Sequence, residues 1–348
     1  MKTFHHLKSA LGGILLVGVL AQSAHADDPY KVLQISQTNG TGGIDYVYAD
    51  NDARRLYVPR GNQILVFDLD TLKSVGAISG SGGHGVAVDT KTHHGFSSKN
   101  PLTMFDSVTL EKIKDIKVDG RPDGIFSEPA TGKIYVLSHA QPNVTVLDPR
   151  DGSTAGTIDL GGAPEQGASD GNGHVYIDLE DQDQIAVVDA NAMKCTGHYS
   201  LGGKGGGPGG LGLDVKNHIL FAMCHEPATC VILNADDGKI LASLPIGNGT
   251  DNGAFNPATM EAFSSQRDGT LTVIKEKSPT SFEVEQNVST KPGAKTCALD
   301  TKNNRVVLIA IEPLTGQQPA PPPGADPSRP ARRRFNGPGL LDIIVVGR

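Results

Sequence analysis

The stretch PDGIFSEPATGKIYVLS, Pro122 to Ser138, decides the fold. A turn opens it, a short apolar run follows, Pro129 to Gly132 punctuate, and KIYVL alternates as a strand. Two short strands cannot bury a core alone, so their sheet must be completed elsewhere. The chain writes the phrase again as IDYVYADNDARRLYV, HGVAVDTKTHHGFSS, PEQGASDGNGHVYID, PGGLGLDVKNHILFA, TDNGAFNPATMEAFS and AKTCALDTKNNRVVL. The punctuating residues are Asp50, Asp89, Glu128, Asp170, Asp214, Asn256 and Asp300, spaced 39 to 44 residues apart. Each unit continues with a loop, a third strand such as QILVFD or NVTVLD, a turn, and a fourth strand such as SVGAI or TAGTIDL. Four strands in about 40 residues, repeated, make a β-propeller blade. Seven units predict an all-β, seven-bladed propeller with four-stranded blades.

The ends of the repeat support that count. The seventh unit offers TCALD, RVVLIAI and LLDIIVVG but no fourth strand, and YKVLQIS, Tyr30 to Ser36, stands spare near the N-terminus. Pairing the two closes the ring and leaves no open sheet edge. A blade has no core of its own, so residues 27–348 are expected to form one domain. The segment Glu312 to Gly339 breaks the pattern inside blade seven. It is Pro-rich, carries Arg332, Arg333 and Arg334, and reads as an extended loop.

Residues 1–26 read as a signal peptide. Lys2 and Lys8 precede the apolar run LGGILLVGVLA, which is too short to span a bilayer, and AHA offers a small-residue cleavage site after Ala26. A periplasmic or secreted monomer without a membrane span is expected. The formal charge is −7, with no Trp and few aromatics. Such a chain is unsuited to neutralising phosphates, which argues against nucleic acid as a partner.

Two pattern matches carry no chemistry. GASDG, Gly167 to Gly171, falls on a strand-to-strand turn, whereas a nucleophile elbow leads into a helix. GGGPGG, Gly205 to Gly210, also precedes a strand, so no helix N-terminus faces a pyrophosphate. Cys224 and Cys230 flank HEPAT across a hairpin and, in an oxidising compartment, are expected to form a disulfide.

The functional signal is one of register. Five residues before each punctuating residue stand Asp45, His84, Asp123, Glu165, Gly209, Asp251 and Lys295. Equivalent positions around a propeller form a ring, here at the channel mouth. The carboxylates and imidazole of Asp45, His84, Asp123, Glu165 and Asp251 suit a divalent cation such as Ca²⁺, Mg²⁺ or Mn²⁺. Lys295 is placed to meet an acidic neighbour or a ligand carboxylate. The loops joining second and third strands add Arg60, Lys99, His139, Glu180, His225 and Arg267 on the same face.

Units such as KIYVLSHAQPNVTVLDPRDGSTAGTIDLGGAPE resemble the YVTN repeat. With ARRLYV, VYIDLEDQDQIAVVDA, FNPATMEAFSS and the terminal VVGR, nearly the whole chain after residue 26 looks like the exported YncE-like propellers of bacteria. That resemblance implies the fold and export, and no shared reaction. It leaves three expectations: a module binding a protein or small polar ligand at the channel face, a metal-dependent lactonase-like hydrolase, and a docking subunit for a periplasmic redox enzyme.

Overall fold

Seven four-stranded antiparallel sheets, built from 28 strands, follow one another around an axis in a computed structural model that describes Met1 and residues 28–314 and 337–348. The expected leader and most of the Pro-rich segment lie outside the described residues. Blade one is β2–β5 (Tyr48–Asp50, Arg55–Arg60, Gln63–Asp68, Ser74–Ser79) and blade two is β6–β9 (Val86–Asp89, His94–Ser97, Leu102–Asp106, Lys112–Ile116). Blade three is β10–β13 (Pro122–Glu128, Lys133–Ser138, Val144–Leu147, Thr154–Ile158) and blade four is β14–β17 (Pro164–Ser169, His174–Leu179, Gln184–Asp189, Lys194–Ser200). Blade five is β18–β21 (Pro208–Asp214, Ile219–Cys224, Thr229–Asn234, Ile240–Pro245) and blade six is β22–β25 (Thr250–Asn256, Glu261–Gln266, Thr270–Ser278, Ser281–Ser289). Blade seven takes β26–β28 (Cys297–Asp300, Arg305–Pro313, Pro338–Gly347) and is closed by β1 (Lys31–Thr41). None of the described residues forms a helix long and apolar enough to cross a membrane.

The core lies between blades rather than within them. Tyr57 packs toward Val86 and Phe105 of blade two, while its neighbour Leu56 packs toward Val307 and Ile343 of blade seven. This alternation follows from the two-residue period of a strand. It explains why a middle strand can be buried along its whole length, as apolar β19 is: it is covered by a blade on each side. The outer strand β17 has a neighbour on one edge only, and its residues alternate between exposed and half-buried. The punctuating residues end or follow the inner strands and hold the next turn. Asp50 Oδ1 accepts from Ala53 N (2.9 Å), Glu128 Oε2 from Thr131 N (2.7 Å), and Asn256 Oδ1 from Ala258 N (3.0 Å). Gly132, in the turn after Glu128, has φ of 64°, a left-handed value that glycine adopts without strain.

β1 pairs antiparallel with β28 from Lys31 opposite Gly347 to Thr41 opposite Pro338. The closing strand is longer than Tyr30 to Ser36, and β27 and β28 run into both ends of the expected Pro-rich loop, to Pro313 and from Pro338.

The expected Cys224–Cys230 disulfide is not formed; both are free thiols. In the β19–β20 hairpin Cys224 stands opposite Thr229, and Cys230 opposite Met223. The two side chains therefore leave opposite faces of the sheet. Cys224 enters the core shared with blade four, and Cys230 the core shared with blade six. Burial pushes the Cys224 thiol up to about 12 and Cys230 well above its ordinary value, which makes both poor nucleophiles.

A buried acid lies between blades five and six. Glu276 Oε1 accepts from Asn217 Nδ2 (2.7 Å), while Glu276 Oε2 and Asp214 Oδ2 are buried without hydrogen bonds. Burial, reinforced by the charge of Asp214, pushes the Glu276 carboxyl from 4.5 up to about 7. A folded-state pKa above the unfolded one means that this group's contribution is complete below about pH 4.5 and lost as pH rises through 7. Glu276→Gln keeps the acceptor for Asn217 and offers Asp214 a donor. The variant is expected to be more stable than wild type above pH 7 by about 2–3 kcal/mol. Denaturant unfolding of both proteins at pH 5 and pH 8 checks this; an equal pH response would contradict it.

Candidate ligand-binding site at the channel mouth

Backbone bonds between neighbouring blades set the register of the ring. Tyr46 N donates to His84 O (3.0 Å) and Asp251 N to Lys295 O (3.2 Å), so residues at or just ahead of the starts of successive inner strands reach one level. There the acids and bases alternate. Lys295 Nζ bonds Asp251 and, at 2.7 Å, Asp45 Oδ1. His84 Nδ1 lies 2.7 Å from Asp45 Oδ2 and 2.8 Å from Asp123 Oδ1. His139 Nε2 lies 3.3 Å from Asp123 Oδ2 and 3.2 Å from Glu165 Oε1. Arg267 Nη2 meets Asp251 Oδ2 at 3.3 Å.

Blade five completes the ring by a different route. Its ring position is Gly209, and a Cβ there would stand 2.8 Å from His225 Nε2. The imidazole from the loop after β19 thus fills the space a side chain at 209 would need. It sits 3.9 Å from both Glu180 Oε1 and Asp251 Oδ1. The mouth expected to be acidic is therefore interleaved with cations. Burial pulls the His84 pKa down, but its contacts with Asp123 and Asp45 outweigh that and hold it at about 9. Contact with Glu165 raises His139 against the effect of burial. For Lys295, burial opposes the charge while Asp251 and Asp45 favour it, and the net shift is upward.

Not every expected residue reaches the mouth. Arg60 is fully buried and donates to Gly339 O (2.7 Å) and Thr38 O (3.3 Å), tying blade one to the outer strands of blade seven. The reason is strand parity. β3 continues through Arg60, so its side chain shares a face with Val58, which packs against blade seven. Lys99 does line the mouth, beside His84 and Asp45, where its Nζ donates to Gly80 O (2.6 Å). The five residues expected to share one cation do not converge. Asp45, His84 and Asp123 form one cluster and Asp123, His139 and Glu165 another, while Asp251 is engaged by Lys295 and Arg267.

Several site residues carry no obvious mark in the sequence. Tyr46 and Gln166 follow ring residues by one position, and that offset was the available signal. The Tyr46 hydroxyl donates across the axis to Glu165 Oε2 (2.9 Å), and burial beside Glu165 raises its pKa well above the usual value, which keeps it a donor. Gln166 Oε1 accepts from Leu211 N and Gly253 N (2.9 Å each), linking blades four, five and six. Both line a channel cavity of about 250 Å³. A mouth pocket of about 360 Å³ lies along Asp45, His84, Lys99 and Arg121. Asp178 is hidden within the apolar run of β15. It accepts from Gln166 N (2.5 Å), and burial raises its pKa well above the usual carboxylate value.

Fold and ring together define a seven-bladed β-propeller with a charged, side-chain-lined channel mouth. Its fold is similar to that in the crystal structure of the Mitotic Checkpoint Complex, with a TM-score of 0.71, 11% identity, and coverage of 87% of this chain and 96% of that one. It is similar also to the WD40 repeats of RRP9, with a TM-score of 0.70, 10% identity, and coverage of 92% and 100%. At such identities the likeness is one of fold. No family model matches the chain, and no curated protein matches it.

Proposed function

We propose that the protein is an exported binding module of the YncE-like, YVTN-repeat type, which takes a small charged ligand at the channel mouth. The observation that carries this reading is the ring itself. Inner-strand and loop residues from separate blades bring four carboxylates and their basic partners to one level, facing a pocket. A hydrated lining needs no such pairing, whereas a site that discriminates charge does. The occurrence of a similar propeller in a checkpoint complex supports a binding role by analogy of fold alone.

The test is a thermal-shift screen of the purified protein against divalent cations, dicarboxylates, polyamines and short charged peptides. Hits are expected, and their shifts should be lost in Asp123→Asn and in His139→Gln. A screen without hits, or hits indifferent to both substitutions, would overturn the reading.

A further inference from the structure

We propose that the mouth holds two divalent transition-metal ions side by side, one among Asp45, His84 and Asp123 and one among Asp123, His139 and Glu165, with the Asp123 carboxylate bridging them. This rests on the binding reading above and names the ligand class for the same site.

The geometry is that of a built site. Within each trio the donor atoms lie within 4.8 Å of one another. Metal bonds to imidazole nitrogen and carboxylate oxygen are about 2.0–2.2 Å, so small side-chain movements close each set around an ion. Asp123 turns Oδ1 toward His84 and Oδ2 toward His139, one oxygen for each ion. The terminal carboxylates divide their oxygens in the same sense. Asp45 gives Oδ1 to Lys295 and presents Oδ2 to His84. Glu165 gives Oε2 to Tyr46 and presents Oε1 to His139. Such outer partners orient a ligand and fix which atom it offers.

A second observation points the same way. Asp123 Oδ1 and His139 Nε2 are both buried and make no hydrogen bond of sound geometry. His84 has one N–H at Nδ1 and two acceptors within reach, so serving Asp45 leaves Asp123 Oδ1 unserved. His139 Nε2 straddles two acids and aligns with neither. Buried polar atoms of this kind ordinarily have a partner. An ion at each position would supply one to every donor atom in the row.

The donor set selects the metal. Two imidazoles among three carboxylates suit Zn²⁺, Co²⁺ or Mn²⁺, whereas Ca²⁺ and Mg²⁺ favour oxygen alone. Binding displaces the proton from His84 Nδ1. At His139 it moves the ring proton to Nδ1, so the exposed Arg121, whose Nη2 is 3.2 Å from that atom, must swing aside.

Calorimetric titration of the metal-free full chain with Zn²⁺ and Co²⁺ tests this. Two equivalents are expected, held at least about tenfold more tightly than Ca²⁺ or Mg²⁺. His84→Gln and His139→Gln should each leave one equivalent, and Asp123→Asn should weaken both by at least about tenfold. Metal-free melting curves establish that each variant folds, and the two histidine variants decide the matter if Asp123→Asn does not. A single equivalent in wild type, or two equivalents unaffected by these substitutions, would overturn the bridged pair. If no metal binds but another charged ligand from the screen does, and is lost in His139→Gln, the metal pair falls while the binding reading stands. If neither binds, both fall.

Discussion

Removing residues 28–41 should lower the melting temperature of the protein by about 10 °C or more. The deletion takes away all of β1, the strand paired with that edge of β28. It also removes Tyr30, which is buried against Phe263 in an edge-to-face contact with ring centroids 5.5 Å apart. The Tyr30 hydroxyl donates to Glu261 (2.6 Å), its backbone exchanges two bonds of 2.8 Å with the Gln286 side chain, and Arg348 lies 4.4 Å over its ring. Loss of a buried aromatic side chain alone costs about 3–5 kcal/mol. At roughly 2 °C per kcal/mol, the low end for a domain somewhat smaller than this one, that term gives about 6–10 °C, and the lost β1–β28 ladder adds the rest. The freed edge of β28, rich in Leu, Ile and Val, becomes a template for aggregation. Adding a peptide of residues 28–41 should restore the lost stability by strand addition, which separates strand closure from any general effect of truncation. A truncated chain that melts with the full one would show that β28 does not need its partner.

The closing strand was legible because it followed from counting: six units had four strands, the seventh had three, and one strand was spare. The ring was legible for the same reason, since a fixed offset from a punctuating residue is preserved when every inner strand starts from the same inter-blade contact. Loop residues were less legible. His139 was placed at the mouth, but nothing in the linear pattern showed that it would stand between Asp123 and Glu165. Two of the departures, at Arg60 and at the cysteine pair, have one physical cause. Strand side chains alternate, so a displacement of one residue moves a group to the opposite face. Arg60 reads as loop in the sequence but is strand, which turns it from the mouth into the interface with blade seven. The spacing of Cys224 and Cys230 predicts facing partners, yet their ladder neighbours are Thr229 and Met223, one residue away in each case. Asp178 has no mark in the sequence, because a carboxyl in an apolar run reads as the edge of a strand, whereas here it lies fully buried beneath Gln166.

Lys295→Met should destabilise the metal-free protein by about 3 kcal/mol, and the loss should shrink as the solution is acidified. Lys295 is the cation between Asp45 and Asp251, and Asp45 is almost wholly buried. Removing one partner of a buried ion pair typically costs about 3–5 kcal/mol, because the remaining charge stays desolvated. The lower figure applies because each acid retains a second base, His84 for Asp45 and Arg267 for Asp251. The pH behaviour has a definite sign. The Lys295 pKa is raised in the folded state, so its contribution is complete below about 10.5 and is lost as pH climbs through the higher folded value. Wild type therefore keeps this term throughout the neutral range. In Lys295→Met the two acids face each other without the ammonium, and protonating one of them relieves the repulsion, so the variant should regain stability toward pH 4 relative to wild type. Substituting an acid as well should have a similar effect at neutral pH: Lys295→Met with Asp251→Asn is expected to be more stable than Lys295→Met alone. Denaturant unfolding of wild type, both single variants and the double variant at pH 5 and pH 8 measures the coupling. Additive single-variant losses would mean that lysine and aspartate are independently solvated, and that the mouth is not an interlocked ring of charges.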